Sequence, residues 1–335
     1  MITLRNINKS FRVAKRTSGL LQATKALFHR QYSVYQALDD ISFTIKAGCT
    51  LGVVGESGCG KSTLGRTILG LIENTEGRIF YKNEDITHTR GKARKELRKG
   101  MQIIFQDPFS SLNPRMTVER LIADPLKAYR AHQNKAELKE HVHDLMEVVG
   151  LAPRLANSYP HELDGGRRQR IGVARALALE PDFIVCDEPV SALDVSIQAQ
   201  ILNLLQDLQE ERGIAYVFIT HDLSVVKHIS NDIMVMYLGV MVEKSASGEL
   251  FEYPLHPYTK GLLSAIPVPD IHIEKEPIIM KGELTSPVEP KPGCRFAARC
   301  PYTRDKCIRA FPVSEEVMPG HFAACHYIRE INELA

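Results

Sequence analysis

No stretch of the sequence approaches the roughly 18 to 20 consecutive apolar residues that span a bilayer, so the chain is not expected to cross a membrane by itself. The opening Met1-Ile2-Thr3-Leu4-Arg5-Asn6 lacks the charged-then-apolar layout of a secretory leader, which sets the expectation of a cytoplasmic protein. Neither sign of charge is in excess. The 42 Lys+Arg stand against 40 Asp+Glu, a net +2, and no global field favours nucleic acid as a partner. Internal repeats and low-complexity tracts are missing. Cysteine is scarce, and the seven present are candidates for ligation or burial rather than for disulfides in a reducing compartment. What remains is a 335-residue chain long enough for one large or two ordinary domains.

What is there is organised around Gly55-Glu56-Ser57-Gly58-Cys59-Gly60-Lys61-Ser62-Thr63. The apolar run Thr50-Leu51-Gly52-Val53-Val54 precedes it and the helix-like Leu64-Gly65-Arg66-Thr67-Ile68-Leu69 follows. The stretch fits G-x-x-x-x-G-K-[ST] in full. Its glycines let the backbone curl closely around an anion, so that successive N–H groups and the next helix N-terminus point at phosphate oxygens. Lys61 then reaches the β and γ phosphates and Ser62 offers its hydroxyl to Mg²⁺. The pattern predicts binding of a nucleoside triphosphate.

Around that loop the chain alternates. Residues 1–11 read as a half-buried strand, followed by a basic segment over 12–31 in which Leu20, Thr24, Leu27 and Phe28 share one face of a short helix suited to docking. An exposed basic loop is the competing reading. Strand character returns over 37–45, 76–81, 101–106, 181–188 and 214–220, with helical periodicity over 117–158 and 197–212. Continuous apolar strands of this kind belong to a sheet covered on both faces by helices, here interrupted by a helical insert. Asp187 ends one such strand, where a carboxylate can hold Mg²⁺. Glu188 follows it, placed to orient or deprotonate an attacking water, and His221 ends another strand. From Tyr253 prolines become dense, and a smaller appended segment begins at about residue 266.

From residue 1 to about 265 these motifs resemble the ATPase subunit of an ATP-binding-cassette (ABC) transporter. Gly55 to Thr63 is similar to the family's Walker A, Gln106 to its Q-loop, and Asp187 with Glu188 to Walker B and its catalytic glutamate. Ser191-Ala192-Leu193-Asp194 resembles the D-loop and Thr220-His221-Asp222 the switch histidine. The resemblance implies an α/β P-loop NTPase fold: a RecA-like core, an antiparallel β part and a helical subdomain over about 108–175. It also implies two subunits meeting head to tail around two ATP molecules. In that frame Phe11 stacks on adenine, with Tyr35 as a second candidate. Gly55, Glu56, Ser57, Gly58, Cys59, Gly60, Lys61, Ser62 and Thr63 hold the phosphates, Ser62, Gln106 and Asp187 attend Mg²⁺, and Glu188, Gln106 and His221 carry the hydrolysis.

One motif departs from the family. Its signature Leu-Ser-Gly-Gly-Gln reads Leu163-Asp164-Gly165-Gly166-Arg167 here. Gly165 and Gly166 keep the amides that face the opposite subunit's γ-phosphate, but a carboxylate replaces the hydroxyl. Two unit charges about 4 Å apart at an effective dielectric near 20 interact by roughly 4 kcal/mol, so Asp164 is expected to weaken ATP there unless Arg167 compensates. A homodimer would carry that defect twice, which favours a second, different ATPase subunit as partner.

Cys49, Cys59 and Cys186 read as small core or loop residues. Cys294, Cys300, Cys307 and Cys325 cluster as C-x5-C-x6-C-x17-C. Four thiolates suit tetrahedral zinc or a [4Fe–4S] cluster, and buried unligated thiols are the alternative. Paired C-x2-C knuckles are absent, which favours the iron–sulfur cluster. The tail, with His256-Pro257-Tyr258-Thr259 before it, resembles the C-terminal extension of dipeptide and oligopeptide importer ATPases, and part of the ligation reading comes from that resemblance. It implies a peripheral subunit on the cytoplasmic face of the plasma membrane. The implied partners are two transmembrane permease subunits and, indirectly, an extracellular solute-binding protein. An importer for nickel or another small solute, and a soluble ABC protein of translation or DNA repair, are the rival readings.

Overall fold

The computed structural model describes residues 1–14, 32–131, 134–266, 278–280, 282 and 288–334. Most of the basic segment and the face proposed for Leu20, Thr24, Leu27 and Phe28 lie outside the described residues. The strands in chain order are β1 (Ile2–Ala14), β2 (Tyr32–Ile45), β3 (Thr50–Val54), β4 (Glu76–Tyr81), β5 (Glu84–Asp85), β6 (Met101–Ile104), β7 (Phe183–Asp187), β8 (Ala215–Ile219), β9 (Asp232–Tyr237), β10 (Val240–Ala246), β11 (Glu315–Met318) and β12 (His321–Ala323). They form a four-stranded antiparallel sheet, β2-β1-β4-β5, and an eight-stranded sheet, β11-β12-β10-β9-β3-β8-β7-β6.

Strands β3, β7 and β8 are buried along their whole length, which is why they carry almost no polar residue before their last position. Their parallel register places Val53 and Asp187 on either side of Ile219, so the three chains leave the sheet at one edge. The phosphate loop, Glu188 and His221 therefore emerge side by side, where open parallel sheets bind ligands. Helix α1 (Lys61–Ile68) packs Leu64 and Ile68 against Val53, Val185 and Ile219 beneath that edge, in a core shared with the antiparallel sheet.

The expected helical insert resolves into α2 (Val118–Tyr129) and α3 (Lys135–Val148), followed by 3-10 turns. With α4 (Gly165–Leu177) they bury Leu121, Ile122, Val142, Met146, Ile171 and Val173 in the cluster on the sheet's other face. No helix of the described residues is long and apolar enough to cross a membrane.

The tail is stitched onto the cassette rather than set apart from it. β12 pairs antiparallel with β10, Glu243 opposite Ala323, and carries the large sheet outward. Phe296 is buried among Tyr237, Tyr258 and His256, with ring centroids 5.2, 5.4 and 5.8 Å away. Burying one such side chain stabilises by roughly 2–3 kcal/mol, enough to dock a segment that has little apolar periodicity of its own.

Candidate nucleotide-binding site

The cleft at the strand edge has a volume of about 450 Å³ and is lined by the phosphate loop, Tyr35, Gln106, Glu188 and His221. Two glycines make the loop possible. Gly58 has φ +79° with open space where a side chain would stand, and Gly60 has φ +106° with a would-be Cβ only 2.4 Å from the Ala37 carbonyl. Gly60 caps α1, whose first N–H groups face the cleft without a side-chain cap. Lys61 is buried and its Nζ donates to the carbonyls of Gly55 at 2.7 Å and Glu56 at 3.0 Å, which curls the amine back over the loop.

The Ser62 hydroxyl donates to Asp187 Oδ1 at 2.7 Å, bringing the helix start and the end of β7 together. Burial pushes the Asp187 carboxyl up, and Glu188 adds to this, while the Ser62 hydrogen bond and Arg66, 3.8 Å away, pull it down. The Ser62 hydroxyl and the Asp187 carboxylate together make an oxygen set that suits Mg²⁺. Glu188 stands in the left-handed region at φ +48°, turned out of the strand line of β7. Its Oε2 accepts from Gln106 Nε2 at 2.9 Å and lies 3.4 Å from His221 Nδ1. Two chain segments, those of Gln106 and His221, thus aim at one carboxylate oxygen of Glu188 beside the phosphate loop.

The sequence-derived site residues are not all in this cleft. Phe11 is partly exposed with its ring 6.2 Å from that of Tyr35, and it is Tyr35 that reaches the loop, its hydroxyl 3.5 Å from the Gly58 carbonyl. Cys59 is buried, its thiol pushed up chiefly by burial, so only its backbone is available to a ligand. Glu56 turns its side chain to Arg299. Asp164, Gly165 and Gly166 start α4 on another face, and Asp164 caps that helix by accepting from the Arg167 N–H at 2.8 Å. Its other oxygen lies 3.4 Å from the Arg167 guanidinium, the compensation the sequence suggested.

The seven cysteines are free thiols. Cys294, Cys300, Cys307 and Cys325 line one small interior cavity with His256 and His326. Burial and the neighbouring thiols raise Cys294 to about 12 and also raise Cys300 and Cys325. Among the described residues no three His, Cys, Asp or Glu are grouped tightly enough to hold a metal ion.

Residues 38–191 match the family described as ABC transporter, and residues 242–307 match the oligopeptide/dipeptide transporter C-terminal region. Oligopeptide transport ATP-binding protein AppF of Bacillus subtilis is 49% identical over 97% of this chain and 97% of its own length. The chain belongs to the ATP-binding subunits of oligopeptide and dipeptide ABC transporters. OppF of Haemophilus influenzae is 51% identical over 90% of this chain and 91% of its own. Among solved structures, the dimeric cassette MJ0796 bound to ADP and Pi has a TM-score of 0.63 at 28% identity, covering 74% of this chain and 99% of that one. The ABC subunit described here is accordingly an ATPase that drives transport.

Sequence reasoning overlooked Arg299, Tyr258 as a loop contact, and the buried Glu243. The His-Pro-Tyr-Thr run at 256–259 was the available signal for Tyr258.

Proposed function

We propose that this chain is one of two different ATPase subunits of a bacterial peptide importer, peripheral to the cytoplasmic face of the plasma membrane and seated on two permease subunits. The carrying observation is the meeting of Lys61, Ser62, Asp187, Gln106, Glu188 and His221 at one cleft. The peptide cargo is supported by the tail region's family match and by the names of relatives aligned over nearly their whole length.

In this reading the loop amides and Lys61 bind the phosphates, and Tyr35 with Phe11 contacts the base. Ser62 and Asp187, with Gln106, would hold Mg²⁺, which would supply neutralisation of phosphate oxygens. Gln106 fixes the Glu188 carboxylate by its hydrogen bond, so that Glu188 takes the proton of a water aimed at the γ-phosphate. His221 holds the same oxygen from the other side and steadies that water. Asp164 faces the partner's nucleotide, and its residual negative charge makes that site the weaker of the pair. The four tail cysteines line one cavity and are the candidate ligands of a [4Fe–4S] cluster that would staple the tail, a reading supported by the tail's resemblance and by no preformed metal site among the described residues.

Replacing Glu188 with Gln keeps the hydrogen bonds and removes the base. ATP hydrolysis by the assembled complex should fall about 100-fold or more while ATP stays bound. Wild-type turnover in Glu188→Gln would move the base elsewhere.

A further inference from the structure

Among the described residues, the extension meets the phosphate loop through the ion pair of Arg299 with Glu56. Glu56 is the loop's second residue, yet its carboxylate points away from the cleft into the tail. Arg299 grips it with two prongs, Nη1 to Oε2 at 2.8 Å and Nη2 to Oε1 at 3.1 Å. The Glu56 N–H donates to the Tyr258 hydroxyl at 2.9 Å, so this amide too is taken up by the far side of the loop. The pair is largely shielded, with the Arg299 side chain 10% exposed and that of Glu56 21%. The Glu56 carbonyl is also an acceptor of Lys61 Nζ, so the residue that Arg299 holds helps place the phosphate-binding amine.

Arg299 is itself fixed. Its N–H bonds the Phe296 carbonyl at 2.9 Å, its guanidinium lies 5.9 Å from the Tyr237 ring, and Phe296 is anchored beside it. A shielded carboxylate left without its cation next to an incoming polyphosphate repels it strongly, because little water intervenes.

We propose that Arg299 is a positioning residue for ATP: it neutralises Glu56 and keeps that carboxylate turned out of the phosphate cleft. The inference rests on the reading of Lys61 and its loop as the ATP site.

The test uses the purified full-length chain with ATP and Mg²⁺ in equilibrium titrations, and AMP as the probe lacking the outer phosphates. Arg299→Gln, which keeps the side-chain stem, should weaken ATP about tenfold and AMP by less than about twofold. Adding Glu56→Gln to that variant should restore ATP to within about threefold of wild type, since the stranded charge is gone. Arg299→Lys, which keeps the cation should Arg299→Gln fold poorly, is expected within about threefold of wild type, with binding more sensitive to salt. Unchanged ATP affinity in Arg299→Gln, or a loss that Glu56→Gln does not repair, overturns the proposal and leaves Arg299 as a support of the tail's fold. If wild type ignores ATP, or binds it equally well with Lys61→Ala, the failure belongs to the nucleotide-site reading instead.

Discussion

Asp164 does two things that one residue rarely combines. As the N-cap of α4 it satisfies the Arg167 N–H, and in the function proposed above its carboxylate brings charge to a face turned toward a partner's ATP. The two roles separate by substitution. Asp164→Ala loses the cap and should lower stability by about 1 kcal/mol in denaturant melts. Asp164→Ser keeps the cap, should leave the melt unchanged, and should tighten ATP several-fold at the facing site in the assembled complex; equal affinities for the Asp and Ser forms would remove the asymmetry. Residues of this kind are legible in sequence because a cap, or a phosphate loop, is a local pattern with fixed spacing. Arg299 is not, since its partner Glu56 lies 243 positions away and the docking of Phe296, with Arg295 on Asp39, brings the two together.

Among the elements, β12 shows how the tail is held. His321 is buried on it, with Nε2 2.7 Å from Glu243 and Nδ1 3.2 Å from Glu249, and Glu243 also accepts the N–H groups of Leu255 and His256. Burial works against protonating His321, but the hydrogen bonds and charge of Glu243, then Glu249, outweigh it and raise the imidazole above its ordinary value. A group raised on folding adds stability that is full below its unfolded pKa of about 6.5 and fades as pH climbs through the folded value. Thermal melts of the wild type should therefore weaken as pH rises above about 6.5, and His321→Gln should flatten that slope; an identical pH profile in the variant would contradict the assignment. The cysteine turn makes its own prediction. Anaerobically purified protein should show a broad absorbance near ~400 nm with stoichiometric iron, and absence of both would leave the thiols unligated.

The core strands β3, β7 and β8 were readable because each is a continuous apolar run, and α2 and α3 because their buried residues recur at helical spacing, whereas β9 and β10 of the same sheet went unread. β1 and β2 run further than the sequence pattern, to Ala14 and back to Tyr32, because they pair with each other beyond the buried part. β11 and β12 are strands only by joining the open edge of β10, which no local pattern announces.

For the molecule as a whole, the strand edge joins the helical cluster to the nucleotide cleft through Gln106, which follows β6 and ends on Glu188. A groove beside it is lined by Phe105, Ser110, Asp124 and Arg175, and Arg175 donates to the Ser111 carbonyl at 2.7 Å, tying α4 to the segment after Gln106. In the function proposed above, closure around ATP would act on membrane partners through this connection. The decisive measurement is peptide uptake, with ATP turnover, by the complete complex reconstituted in vesicles when Lys61→Ala is present in this chain alone. The account predicts that ATP binding here is lost and uptake falls to the level without nucleotide; uptake at the wild-type rate with no ATP on this subunit would contradict it.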